Sequence, residues 1–461
     1  LRAVLEDLLV GKVQGRTYSD QRLLGFMKDK NERWQAAKRA VNSFVVSALA
    51  LLNQLEHGAA CAETLRLLHH VVPLFGAFPV LARRFLDAML AHWASPDVHT
   101  RTMAFRNMHA LAVLDPARFL ERVLKAAYSA YIKHSRLVSR ATLPVQHDMR
   151  GGLVELLGIS VPATYRLAFA SVRQLALHLR GVAMQTLGAV VPTVHSFQFL
   201  NALRVWAAVL VRYAPASETI RYLLYPLMQT LLAAIDASDG ARLLYFRLHV
   251  AELVLDVCEA AGVFANIVPH LIQCLYYPQL RKAARDGSAP DFATHVVVPK
   301  RALGTAALLD TVQRHVCALA GRFYAAHAYS IAFPELAQPF VVHMRKLAEQ
   351  DATTPDIDAL AHQVEANAQW VVQRRIHTDF SPKDVDRTRS FLAEDQQRHR
   401  SPFERFWLSS ADRYSVDDED EDEDEQEFES ADDDDDDEYD EDDDEYGEAG
   451  EEEEEEEEED E

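Results

Sequence analysis

The chain has 461 residues, about half of them apolar, and a formal net charge of −24. That apolar share excludes disorder throughout, because it supplies enough buried surface to offset chain entropy on folding. The charge averages two unlike parts: residues 417–461 carry 36 acids and no Lys or Arg, which leaves 35 acids against 47 bases in residues 1–416.

A body of about +12 joined to a polyanion of about −36 fits a protein that works near nucleic acid. Cys61, Cys258, Cys274 and Cys317 form no close pair of the metal or redox type, which points to a reduced compartment. No uncharged apolar run reaches 18 residues, so no membrane span is expected. Leu1 leads straight into Arg2 and Glu6, unlike a signal peptide. The chain reads as a piece whose natural N-terminus is missing.

Residues 1–31 read as a basic, partly ordered segment. From 32 to 277 apolar residues recur with a period near 3.6, as in Phe44, Ala48, Leu51, Leu52 and Leu55, or Leu200, Leu203, Trp206, Ala207 and Leu210. The pattern predicts helices over 32–56, 63–72, 79–93, 97–113, 116–133, 147–157, 162–181, 194–213, 217–235, 241–261 and 264–276. Prolines mark the joints, with cap-like Ser95, Asp115 and Thr354 just ahead of three of them. Gly151-Gly152 reads as a turn.

Residues 278–302 read as a surface loop with a candidate short strand at 294–300. Helical periodicity resumes over 303–398, at 303–328, 334–349 and 356–376, with a short charged helix at 385–398. Residues 399–416 read as a linker that keeps aromatics, among them Phe403, Phe406, Trp407 and Tyr414. Residues 417–461 repel themselves and are expected to be disordered. Successive helices without intervening strands predict an all-α fold, a HEAT/armadillo-like helical-repeat solenoid. No crisp repeat of fixed period occurs, so a compact helical domain stays open.

No catalytic signature stands out. The GxxxxGK[ST] and GxSxG spacings are absent. Adjacent His69 and His70 point to different sides of a helix, His315 lies two residues before Cys317, and His249 and His270 are isolated. All of these read as structural histidines. No catalytic residue, metal, cofactor or small-molecule substrate is therefore expected. The basic residues form three groups, at 16–39, 118–140 and 374–405. Within them Arg118, Arg122, Lys125, Lys133, Arg136, Arg374, Arg375 and Lys383 are candidate contacts to RNA or a partner, since their cations neutralise phosphates and release counterions. Each group also reads as a solvated helix face or as a site for the chain's own acidic run.

A set of ordered motifs adds a resemblance. Tyr329 to Leu336, with Phe333, Pro334 and Glu335 at its centre and Pro339 behind, resembles the "SIAFPEL…P" signature of the nucleolar complex protein 2 family. Lys125, Tyr128, Tyr131 and Ser135 resemble its "mY.aYvrnsk". Tyr165, Phe169, Arg173, Gln174, His178 and Arg180 resemble its "Y..AF..iRqLAihLR". Gln198 and Phe199 with Leu203, Arg204 and Trp206 resemble "WQF…LrlW", and Tyr225 and Pro226 resemble "iYPLvQ". Asn367, Arg374, Arg375, Phe380, Pro382, Lys383 and Asp384 resemble the closing "N…kR…dFsPkD". Departures are Phe197 for the family's Trp, His134 for its Asn, the absence of a Lys-rich N-terminal extension, and the acidic end.

The resemblance implies a non-enzymatic scaffold in the nucleolus that helps assemble the large (60S) ribosomal subunit. It implies heterodimers with nucleolar complex protein 1-like and 3-like proteins, and contact with pre-ribosomal RNA and pre-60S ribosomal proteins. The motifs read physically as fold elements, for Pro334 suits a first helical turn and Glu335 the positive end of a helix. A rival reading is a histone-binding or transport-type adaptor that holds basic cargo on its acidic run.

Overall fold

A computed structural model of the chain describes residues 19–28, 32–55, 58–184, 194–281, 287–350, 354–376, 378 and 383–414. The chain divides into a unit of residues 1–416 and one of 417–461. The second unit lies outside the described residues, as do residues 1–18, Phe380 and Pro382, with the expectations placed on them. Among the described residues every regular element is a helix.

The chain opens with α1 (Asp20–Lys28), α2 (Glu32–Leu52), α3 (Ala59–His69), α4 (Val72–Ala77), α5 (Pro79–Trp93) and α6 (Val98–Leu114). Helix α6 starts at Asp97, whose carboxylate accepts from the Thr100 amide at 2.8 Å. The expected cap Ser95 instead accepts from the Asp97 amide, while Asp115 and Thr354 stand at cap positions without a side-chain bond into their helices. Phe75 and Phe85 stack at 3.9 Å in the core beneath α5. Phe44 and Leu51 do not join the buried face of α2, where Trp34, Val45, Leu49 and Leu52 lie.

Next come α7 (Pro116–His134), α8 (Leu143–Leu157), α9 (Val161–Ala183) and α10 (Phe197–Tyr213). Gly151 and Gly152 form no turn but lie inside α8. A Cβ at Gly152 would come within 3.0 Å of the Phe105 ring of α6, so the glycine leaves room for that ring against α8. Asn201 of α10 donates to the carbonyl of Ser135 at 3.2 Å, and Trp206 sits 5.2 Å from Tyr128. Two motifs separate in sequence thus meet in one core.

After α11 (Glu218–Arg221) and α12 (Leu224–Asp236) the chain enters α13 (Leu244–Ala261), whose residues 244–251 are all buried. Helices α14 (Val268–Cys274) and α15 (Pro278–Arg281) follow. The stretch from 287 to 302 is neither a strand nor a plain surface loop. Its amides and carbonyls serve the start of α13: Phe246 donates to Val296 at 3.1 Å and Val298 to Arg242 at 2.7 Å. Val298 is fully buried, and the Phe292 ring sits 3.9 Å from His249 and 3.8 Å from His315. An apolar run that pairs with helix ends rather than with another strand satisfies its backbone without a sheet.

The C-terminal group is α16 (Ala306–Ala326), α17 (Phe333–Ala348), α18 (Pro355–Arg375), α19 (Val385–Arg389), α20 (Ala393–Gln397) and α21 (Pro402–Tyr414). The expected linker at 399–416 is instead largely helix α21, packed on α16 and α18. Its Phe403 is fully buried near Tyr324 and Phe333. Gly321 of α16 makes room for Trp407.

Candidate nucleic-acid interface

Helix α7 is amphipathic by sequence. Phe119, Leu120, Val123, Leu124, Ala127 and Tyr131 go inward, which turns Arg118, Arg122, Lys125 and Lys133 outward on one face. The row runs for about 22 Å at a helical rise of about 1.5 Å per residue. Arg118 also donates to the Gly76 carbonyl at 3.1 Å, which fixes the row's first member. Arg136 lies exposed just beyond the helix end. His134 adds no charge at neutral pH, because partial burial and the neighbouring Lys133 lower its pKa.

Helix α9 contains no acid. Arg166, Phe169, Arg173, Leu177 and Arg180 fall at intervals of three to four residues on its exposed face, where Phe169 is 51% and Leu177 46% accessible. The two helices pack together, with Tyr128 of α7 reaching Ser171 of α9. An ion pair between Arg166 and Glu121 joins their exposed sides. Glu121 is the one acid on α7, and that pair occupies it. Arg122, Lys125, Lys133, Arg136, Arg173 and Arg180 make no ion pair among the described residues. Unpaired cations on two packed helices, with the exposed Phe169 ring inside the α9 row, can hold phosphates and stack a base.

The third basic group is arranged differently. Arg374 stacks on Trp370 at 3.9 Å and donates to Asp395 at 3.2 Å. Arg375 donates to the Ile331 carbonyl at 3.1 Å and to Glu335 at 2.7 Å. Lys383 is exposed and takes part in an interaction of its own. Arg374 and Arg375 are thus committed internally. In the first group, Arg22, Arg33, Lys38 and Arg39 are exposed, and Arg16 and Lys30 lie outside the described residues.

The motif residues sort into two kinds. One kind builds the core. The buried Asn367 donates to the Ala328 carbonyl at 2.9 Å and accepts from Ser401 at 2.8 Å, while Tyr329 donates to Glu404. With Arg375 on Ile331 and Glu335, these contacts tie the Tyr329–Leu336 motif to the Asn367–Arg375 motif and to α21. Phe333 is fully buried and Pro334 stands in the first turn of α17. Phe199 is buried, whereas Gln198 is half-buried beside it. The other kind faces solvent. Phe169, Arg173, Gln174 and Arg180 are exposed on α9, and Tyr225 is 74% accessible ahead of the half-buried Pro226. Tyr165 stands half-buried 6.2 Å from Phe169, and Gln174 bonds His178 at 3.1 Å.

Sequence reasoning named the α7 row but did not single out Arg166. The signal was present, for Arg166, Arg173 and Arg180 recur every seven residues on a segment without acids. The remaining chemistry is structural. All four cysteines are free and buried, and burial pushes Cys258 up to about 11 and Cys274 to about 12. His69 bonds Asn107 at 3.1 Å. His249 accepts from Arg204 at 3.1 Å and bonds the Phe292 carbonyl at 3.1 Å. Among the described residues no three His, Cys, Asp or Glu side chains cluster as a metal site, and no helix is long and apolar enough to cross a membrane.

The chain is 24% identical over 387 residues to Nucleolar complex protein 2 of Drosophila melanogaster, covering 82% of this chain and 50% of that protein. It is 25% identical over 374 residues to Nucleolar complex-associated protein 2 of Arabidopsis thaliana, covering 80% and 49%. The chain thus spans about half the length of these curated relatives. A model of the Noc2p family matches residues 118–410, which take in both cation rows and the motif network around Asn367. The chain belongs to the Noc2p family.

Proposed function

We propose that the chain is a non-enzymatic scaffold of nucleolar ribosome biogenesis that docks pre-ribosomal RNA on the paired faces of α7 and α9. The single observation that carries this reading is the set of unpaired cations there: Arg122, Lys125 and Lys133 on one helix, Arg173 and Arg180 on the next. Guanidinium and ammonium groups take phosphates in any sequence context, and Phe169 offers a ring on which a base can stack. Names of nucleolar proteins among the relatives support a place in the nucleolus, within the nucleus.

The helices are stacked in HEAT/armadillo-like fashion. Helices close in sequence pack on one another, as α5 on α6, α6 on α7, α12 on α13 and α17 on α18, which is how a solenoid builds its core. Such a stack presents long surfaces. One holds RNA, and others serve nucleolar complex protein 1-like and 3-like partners and pre-60S ribosomal proteins during large-subunit assembly and rRNA maturation. By holding RNA strands apart until neighbours arrive, the scaffold orders assembly without turnover.

The test replaces Arg122, Lys125, Arg173 and Arg180 with Gln in the full chain and measures binding to labelled single-stranded RNA between 50 and 300 mM salt. Four lost phosphate contacts should reduce the salt slope by about 3, at roughly 0.7 per contact on a single strand. An unchanged slope with an unchanged melting curve refutes the assignment.

A further inference from the structure

The N-terminal helices carry a surface of a different character, outside the family-matched residues. Residues 40–55 contain no charged side chain, and Val46, on the side of α2 turned toward α5, is 41% exposed. Helix α2 packs on α5, and between them runs a groove of about 440 Å³. Val46, Leu49 and Ala50 line one side, and Leu81, Ala88 and Ala91 the other. The small side chains of Ala50, Ala88 and Ala91 allow a backbone to come close. Val80, 66% exposed, continues the apolar surface at one end.

Two charges also border the groove. Arg84 and Asp87, one turn apart on α5, are exposed and make no ion pair with each other or with any described residue. Unpaired charges of opposite sign beside an apolar floor mark a surface that orients its occupant. From Leu81 to Ala91 the groove extends for about 15 Å, close to three helical turns. Nucleic acid is a poor occupant, because the α2 side of the groove offers no cation across its whole length.

We infer that this groove is a docking site for one amphipathic helix of a partner protein. The helix lays apolar residues at i, i+3/i+4 and i+7 onto Val46, Leu49 and Leu81, and it carries an acid for Arg84 and a base for Asp87 one turn apart. The site is independent of the RNA face and stands whether or not that face binds RNA.

The test places the photo-crosslinker p-benzoylphenylalanine in the full chain, expressed in its own cellular setting, as Val46→p-benzoylphenylalanine, at an exposed residue of the groove wall. Leu137, 80% exposed and away from the groove, serves as control. The crosslinked peptide is identified by mass spectrometry. The expected result is a peptide of another protein with the stated apolar spacing and an acid and a base one turn apart. Adding Ala50→Glu, at an exposed position of the groove, should lower its yield at least tenfold with the melting curve unchanged. The inference fails if the crosslink goes to RNA or to this same chain. It fails equally if the yield does not exceed the Leu137 control, or if the yield survives Ala50→Glu.

Discussion

Gly321→Ala is a small change with a sign that depends on a single neighbour. A Cβ at Gly321 would lie 1.9 Å from Cζ3 of Trp407 and 2.3 Å from Cη2. To reach ordinary contact the ring must retreat by roughly 1.5 Å. Trp407 belongs to α21, whose Phe403 is fully buried near Tyr324 and Phe333, so the ring cannot withdraw without loosening that helix. Overpacking of this kind costs about 1–3 kcal/mol. Against it stands a helix-propensity gain of up to about 1 kcal/mol for Ala over Gly inside α16. The net expectation is a loss of about 1–2 kcal/mol, read from urea unfolding followed by circular dichroism. In a Trp407→Ala background the clash is gone, and Gly321→Ala should then stabilise by about 0.5–1 kcal/mol. An equal loss in both backgrounds would refute the assignment of Gly321 to the docking of α21.

Asn367→Ala removes a buried amide that serves Ala328 and Ser401, and it should lower stability by about 2–3 kcal/mol in denaturant titration. Arg375→Gln should cost about 0.5–1 kcal/mol through its contacts to Ile331 and Glu335, while the salt slope of RNA binding stays as it was. Burial holds His315 down to about 4, so it is neutral in the fold while the unfolded ring protonates near the ordinary value of about 6.5. Stability should therefore be full above about pH 6.5 and fall as pH drops toward 4, and His315→Asn should flatten that fall in denaturation midpoints taken at pH 7.5, 6 and 5.

Much of the helical fold was readable because its signals are local. Periodicity and proline joints fixed most helices to within a few residues, from α5 to α18. Three stretches were not readable for one shared reason: their partners lie far away in sequence. Val296 and Val298 look like a strand until Arg242 and Phe246 supply the bonds. Gly151-Gly152 looks like a turn until Phe105 needs the space. Phe403 and Trp407 look like loop aromatics until Tyr324 and Gly321 receive them. Charge was legible only as density. Residues 374–405 hold bases at much the same density as residues 118–140 but interleave them with acids, and Asp395 and Glu335 occupy Arg374 and Arg375 while Arg122, Lys125 and Lys133 stay open. Motif resemblance located Phe169, Arg173 and Arg180, whereas their exposure became visible only once α9 was placed beside α7.

Helix α13 has almost no surface to offer water along residues 244–251, so it persists only while elements from both directions of the chain enclose it. Helices α10 and α12 do so from before it, and α14 and α16 from after it. A nick or truncation on either flank would therefore strip this rod of half its wrapping. The described body should be lost or kept whole across that joint, and fragments that stop short of it should tend to aggregate.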